Sequence, residues 1–106
     1  MHTTTLDKPD RRARGTALLE YFNCSYNDLV SMLGEPTCAD TSPDGKTHKE
    51  WHVQIMNGST HHHMLTIYDY KEPTDPAEVP DMTVQWHVGG KHDQHWLALD
   101  LIEFIT

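Results

Sequence analysis

Trp51-His52-Val53-Gln54-Ile55-Met56 alternates apolar and polar side chains, and the rest of the chain can be placed around it. Trp51, Val53 and Ile55 fall on one side, His52, Gln54 and Met56 on the other, the period of two that marks a strand with one buried face. Asn57-Gly58 follows as a hairpin-turn dipeptide, and Ser59-Thr60 lengthens it into a looser loop. The return strand is expected from about His63 to Lys71, with Leu65 and Ile67 inward and Thr66, Tyr68 and Tyr70 outward. A third strand, Thr83 to Val88, places Val84, Trp86 and Val88 inward and Gln85 and His87 outward. Trp51 and Trp86 should therefore both be buried. Pro73, Pro76 and Pro80 stiffen the acidic loop between these strands, Asp69 to Asp81.

Upstream the period lengthens. Ser25 and Asp28 form a capping-box pattern, which satisfies free N–H groups at a helix start. Tyr26, Leu29, Val30 and Leu33 then recur at helical spacing, Gly34 can end the helix, and Pro36 forbids its continuation. This predicts a helix over Ser25 to Leu33. A second helix is expected over Pro9 to Phe22, where Ala13, Ala17, Leu18, Tyr21 and Phe22 share a side and Arg11, Arg12 and Arg14 form a solvated basic start. Gly15 inside it weakens that helix by about 1 kcal/mol relative to Ala. Residues 1–8 are polar and read as a disordered N-terminus. At the other end Gly89-Gly90 opens a final helix whose buried stripe is Leu97, Ala98, Leu101, Ile102 and Ile105. The expected fold is α+β: order α-α-β-β-β-α, a three-stranded antiparallel sheet with helices on one face, built as one domain over residues 9–106.

Composition bounds the partners. The chain has 106 residues, 16 acidic against 8 basic, for a formal charge of −8. Such a field repels nucleic acid and membrane surfaces and favours basic partners. The acids are scattered along the chain, which argues for an ordinary acidic protein over a nucleic-acid mimic. No apolar run is long enough for a membrane helix, and Met1 to Asp10 lacks the order of a signal peptide, so a cytosolic protein is expected. With 37% hydrophobic residues, stability should be modest or supplied by a homodimer partner.

The sequence holds nine histidines but none of the usual zinc-ligand spacings, so no metal and no cofactor is expected. His52 with His87 across strands, and His92 with His95 on one helix face, are the first ligands to suspect. Cys24 and Cys38 are expected as buried, reduced thiols. No nucleophile elbow or acid/base pair stands out, and the chain reads as a non-enzyme. The sharpest feature is Trp86-His87-Val88-Gly89-Gly90-Lys91, a strand running through two glycines into a helix start. Backbone N–H groups there could bind an anion, with His87 and Lys91 as added donors. The alternative is a tight turn in which the glycines supply positive φ.

These motifs together resemble a family of small phage-encoded proteins. The pattern runs through Leu33-Gly-Glu-Pro36, Asp44-Gly-Lys-Thr47, Glu50-Trp51, Thr66-Ile-Tyr-Asp-Tyr-Lys71 and Trp86-His-Val-Gly-Gly90, covering roughly residues 25–106. Val88, where isoleucine is more usual, and the His61-His62-His63 hairpin depart from it. The resemblance implies an accessory protein acting in the cytoplasm of an infected bacterial host. Three roles follow: an inhibitor that occupies a host defence protein such as a CRISPR-Cas effector, a sponge for a nucleotide immune signal, or an unrelated regulatory or structural phage protein. The binding residues singled out are His87, Gly89, Gly90, Lys91, Tyr68, Tyr70 and Asp69.

Overall fold

The computed structural model describes residues 2–57 and 61–106, so the predicted Asn57-Gly58 turn with Ser59-Thr60 lies outside the described residues. Five strands and two α-helices follow in the order β1 (His2–Thr5), β2 (Ala17–Ser25), α1 (Tyr26–Leu33), β3 (Glu50–Asn57), β4 (His61–Asp69), β5 (Thr83–Gly90) and α2 (His95–Ile105). Short 3-10 turns occupy Arg11–Ala13, Pro76–Glu78 and His92–Gln94. All pairings are antiparallel, and the sheet order is β1-β3-β4-β5-β2. The expectation of three strands in the order α-α-β-β-β-α is therefore corrected to a five-stranded α+β sheet.

Both extra strands come from the N-terminal quarter. Residues 2–5, expected as part of a disordered end, pair with β3 as an edge strand, His2 opposite Met56 and Thr5 opposite Val53. The predicted Pro9–Phe22 helix is instead a single 3-10 turn followed by β2. Gly15, at φ +69°, takes the left-handed conformation that breaks a helix. Within β2 the register skips between Leu18 and Glu20, a β-bulge at Leu19. Leu19 packs on the core and Glu20 reaches His95 on α2, so two successive residues serve the same layer. Beyond the bulge the alternation is regular: Phe22 and Cys24 face Trp86 and Val84, while Tyr21 and Asn23 face His87 and Gln85.

Helix α1 starts where its sequence says. The Ser25 hydroxyl accepts the Asp28 N–H at 3.1 Å, and Gly34, at φ +82°, ends it with its N–H on the Val30 carbonyl. Trp51 and Trp86 are both fully buried, edge to face at 5.4 Å between ring centroids. Their indole N–H groups donate to the Gly34 and Cys24 carbonyls at 2.9 and 3.0 Å, tying the end of α1 and strand β2 to the sheet core. Leu29 and Leu33 of α1 and Leu97, Ala98, Leu101 and Ile105 of α2 close the core on that one face. No helix among the described residues is long and apolar enough to cross a membrane.

The opposite, outer face carries the connection from β1 to β2. Consecutive strands lie at opposite edges of the sheet, so residues 6–16 must cross it. The crossing is pinned by Leu6 N–H on the His52 carbonyl (3.0 Å), Asp10 N–H on His52 Nδ1 (3.2 Å) and Arg12 Nη2 on Gln54 Oε1 (3.1 Å). It buries the row His52–Thr66–Gly89. The next row stays open.

Candidate functional site: an aromatic sheet face

Strand register lays Glu50, Tyr68, His87 and Tyr21 side by side across β3, β4, β5 and β2. Tyr70 follows two residues after Tyr68 on the same side. The His87 ring is 4.9 Å from Tyr21, 5.3 Å from Tyr68 and 5.4 Å from Tyr70, centroid to centroid. Tyr21 and Tyr70 remain 46% and 39% exposed, so part of each ring is open to solvent. A contiguous aromatic surface of this kind is the feature that marks contact sites, because Tyr offers large, rigid, amphipathic area with few rotors to freeze.

Its electrostatics are negative. Burial among the tyrosines holds the His87 pKa below its usual value, against the opposing pull of the Asp69 and Glu72 charges. Tyr68 is pushed up, first by burial and then by Glu50. The Lys71 ammonium lies 5.3 Å from the Tyr70 ring centroid, a cation–π contact showing that the ring face accepts a positive charge.

Of the residues singled out from sequence, Tyr68, Tyr70 and His87 come together, and Tyr21 joins them. Tyr21 was missed because its segment reads as helix once the bulge hides its period of two. Asp69 is on the other side of β4 and fully buried. It accepts the N–H groups of His48 and Lys49 at 2.9 and 2.8 Å and bonds His48 Nδ1 at 2.7 Å, closing the β4 end onto the loop before β3. Gly89 and Gly90 do not form a turn. They lie inside β5, opposite Leu18 and Ala17 of β2, with Gly89 also opposite Thr66. Neither has a positive φ. Their role is close packing, since a Cβ on Gly90 would come 2.6 Å from Leu65 and 2.8 Å from Leu19. The Lys91 N–H is taken by Gln94 Oε1 at 2.8 Å, and its side chain lies beyond the crossover, away from the aromatic row.

The suspected histidine ligands do not converge. His52 and His87 are separated by β4, and His95 pairs with Glu20 at 3.2 Å. Among the described residues one potential metal trio exists, Cys38, Glu50 and His52, with donor atoms within 4.8 Å of one another. Cys38 bridges to Glu50 as a one-residue extension of the sheet. The donor chemistry does not fit a resident ion. His52 Nδ1 accepts the Asp10 N–H, so the ring proton of the neutral imidazole sits on Nε2, which donates to Glu50 at 2.6 Å. A coordinated Nε2 needs its proton on Nδ1, where the Asp10 N–H already points. The pair instead anchors the crossover to β3.

No family model, curated protein or solved structure matches the chain.

Proposed function

We propose that this chain is a binding protein whose contact surface is the Tyr21–Tyr68–Tyr70–His87 face and whose partner presents a basic surface. The observation that carries this reading is the uncovered aromatic row on an acidic molecule: formal charge −8, with Glu50 and Glu72 beside the rings. Exposed tyrosines supply the anchors of an interface, and the field supplies orientation and rate of encounter. The resemblance to small phage-encoded proteins supports a host defence protein as that partner, occupied and blocked in the infected bacterial cytoplasm, without catalysis. A basic, nucleic-acid-handling effector has the complementary charge. Gly89 and Gly90, being inside a ladder, give less support to a nucleotide sponge built on a Gly-Gly-Lys turn.

The test is retention of a host protein on immobilised chain. Wild type is expected to retain a basic protein in a salt-sensitive manner. Tyr21→Ala and Tyr70→Ala are each expected to weaken that complex by about 2 kcal/mol, the scale of an interface hot spot, with folding unchanged. Full retention by a folded Tyr21→Ala/Tyr70→Ala double variant would sink the proposal.

A further inference from the structure

The chain has 8 lysines and arginines against 16 acids, yet four of the eight line one cavity. Arg11, Arg12 and Arg14 of the crossover and Lys91 after β5 border a space of about 250 Å³, with Thr16, His62, Met64 and Gln94 among its other walls. No carboxylate lines it among the described residues. Arg12 is fixed there by a two-pronged ion pair with Asp10, 2.9 and 3.0 Å, and by Gln54. Arg11, Arg14 and Lys91 have no carboxylate partner among the described ion pairs. Bringing three unpaired cations together opposes folding by mutual repulsion, and in so acidic a protein neutralising partners abound. With the one nearby acid, Asp10, already engaged by Arg12, the lack of carboxylate partners for the other three points to a ligand that carries the missing negative charge.

We infer that this cavity binds a small diphosphate-bearing anion, such as a nucleoside diphosphate, between the arginine turn and Lys91. Three unpaired cations call for a ligand of about three negative charges in the same small volume, which one carboxylate cannot supply and two linked phosphates can. Arginine forks match phosphate oxygens two at a time, while Lys91 adds a mobile point charge. The small volume suits a small anion, and the molecule's overall charge repels a nucleic-acid backbone. The site lies across the crossover from the aromatic face and does not depend on the protein-partner proposal.

The experiment is isothermal titration of the full chain with pyrophosphate, ADP, orthophosphate and adenosine, repeated at raised salt. Pyrophosphate and ADP should bind with salt-sensitive affinity, orthophosphate at least about tenfold more weakly, and adenosine not at all; tenfold corresponds to one charge-assisted hydrogen bond. Arg14→Gln/Lys91→Gln should lose at least that factor while melting no lower than the wild type. Lys46→Gln, in the turn before β3, should bind as wild type. The inference is overturned if the folded wild type binds neither diphosphate, if orthophosphate binds equally well, or if Arg14→Gln/Lys91→Gln retains full affinity.

Discussion

Gly89 lies directly opposite Thr66 across the β4–β5 ladder, and a Cβ on Gly89 would sit 2.6 Å from the Thr66 hydroxyl oxygen. That hydroxyl is buried without a hydrogen-bond partner among the described residues, and Thr16 of the crossover closes from above, its hydroxyl 3.0 Å from the same Cβ position. Strand, glycine and crossover are packed as one unit.

Gly89→Ala is accordingly expected to destabilise the protein by about 1–3 kcal/mol, the usual cost of overpacking a filled interior. Because the Thr66 oxygen is unsatisfied, Thr66→Ala alone should cost little, and adding it to Gly89→Ala should restore part of the loss. Urea unfolding of the two single variants and the double gives the coupling directly. Strictly additive effects would mean that the clash is not with Thr66.

Asp69→Asn should be more damaging than any surface acid substitution. The buried carboxylate accepts two backbone N–H groups on Oδ1 and bonds His48 Nδ1 through Oδ2; an amide oxygen can keep the first two, but an amide N–H facing His48 loses the charge and forces the ring to accept at Nδ1. A loss of about 1.5–3 kcal/mol is expected, as for hydrogen bonds to a buried charge. Thermal melts of Asp69→Asn against Asp44→Asn, an exposed acid, make the comparison.

His87 should titrate below 6.5 when followed by NMR of its ring protons, burial being the main cause. The sign for stability follows from linkage. Between the depressed folded value and 6.5 the unfolded chain binds more protons, so stability is full above 6.5 and falls as pH drops towards the folded pKa. A basic partner on the aromatic face should also be held less tightly over the same range, since protonation adds a repelling charge. His87→Gln should flatten both dependences.

Cys24 and Cys38 should remain unlinked and slow to alkylate at neutral pH. Cys38 borders β3 and Cys24 lies in β2, four strand spacings away, about 19 Å at 4.8 Å each, where a disulfide needs Cα atoms within about 7 Å. Burial and Asp28 push the Cys24 thiol up to about 11, and burial with Glu50 raises Cys38. Both are free in the structure. Mass-resolved alkylation with and without reductant should give two slow, equal modifications; fast labelling of either would contradict its raised pKa.

The sequence is most legible where local rules and burial agree. Ser25, Gly34 and Pro36 bracket α1, and the alternation through Trp51 and Trp86 gives the phase of β3 and β5. It is least legible where one residue shifts the pattern. Leu19 inserts a bulge that turns the period of two in β2 into an imitation of a helical stripe, and Tyr21 disappears from view with it. His2 to Thr5 carries no buried hydrophobic side chain, and its strand exists only because β3 offers an edge. Gly89 and Gly90 announce a turn by composition, whereas contact with Thr66 and Leu65 is a property of the assembled sheet. The grouping of Lys91 with the three arginines likewise depends on the crossover.

That crossover also sets the order in which the molecule can assemble. Every sheet partner of β1 and β2 is Val53 or a later residue. During synthesis the first two strands therefore emerge with nothing to pair with, and only α1 can form by local rules. β3 has to appear before β1 can pair and β5 before β2 can, so the crossover between them settles over the sheet only once β5 is in place. High contact order of this kind implies slow folding, in the millisecond-to-second range typical of non-local β pairing. A chain arrested before β5 would leave Leu18, Leu19 and Phe22 seeking another strand, which makes nascent chains of this protein natural clients for a holding chaperone.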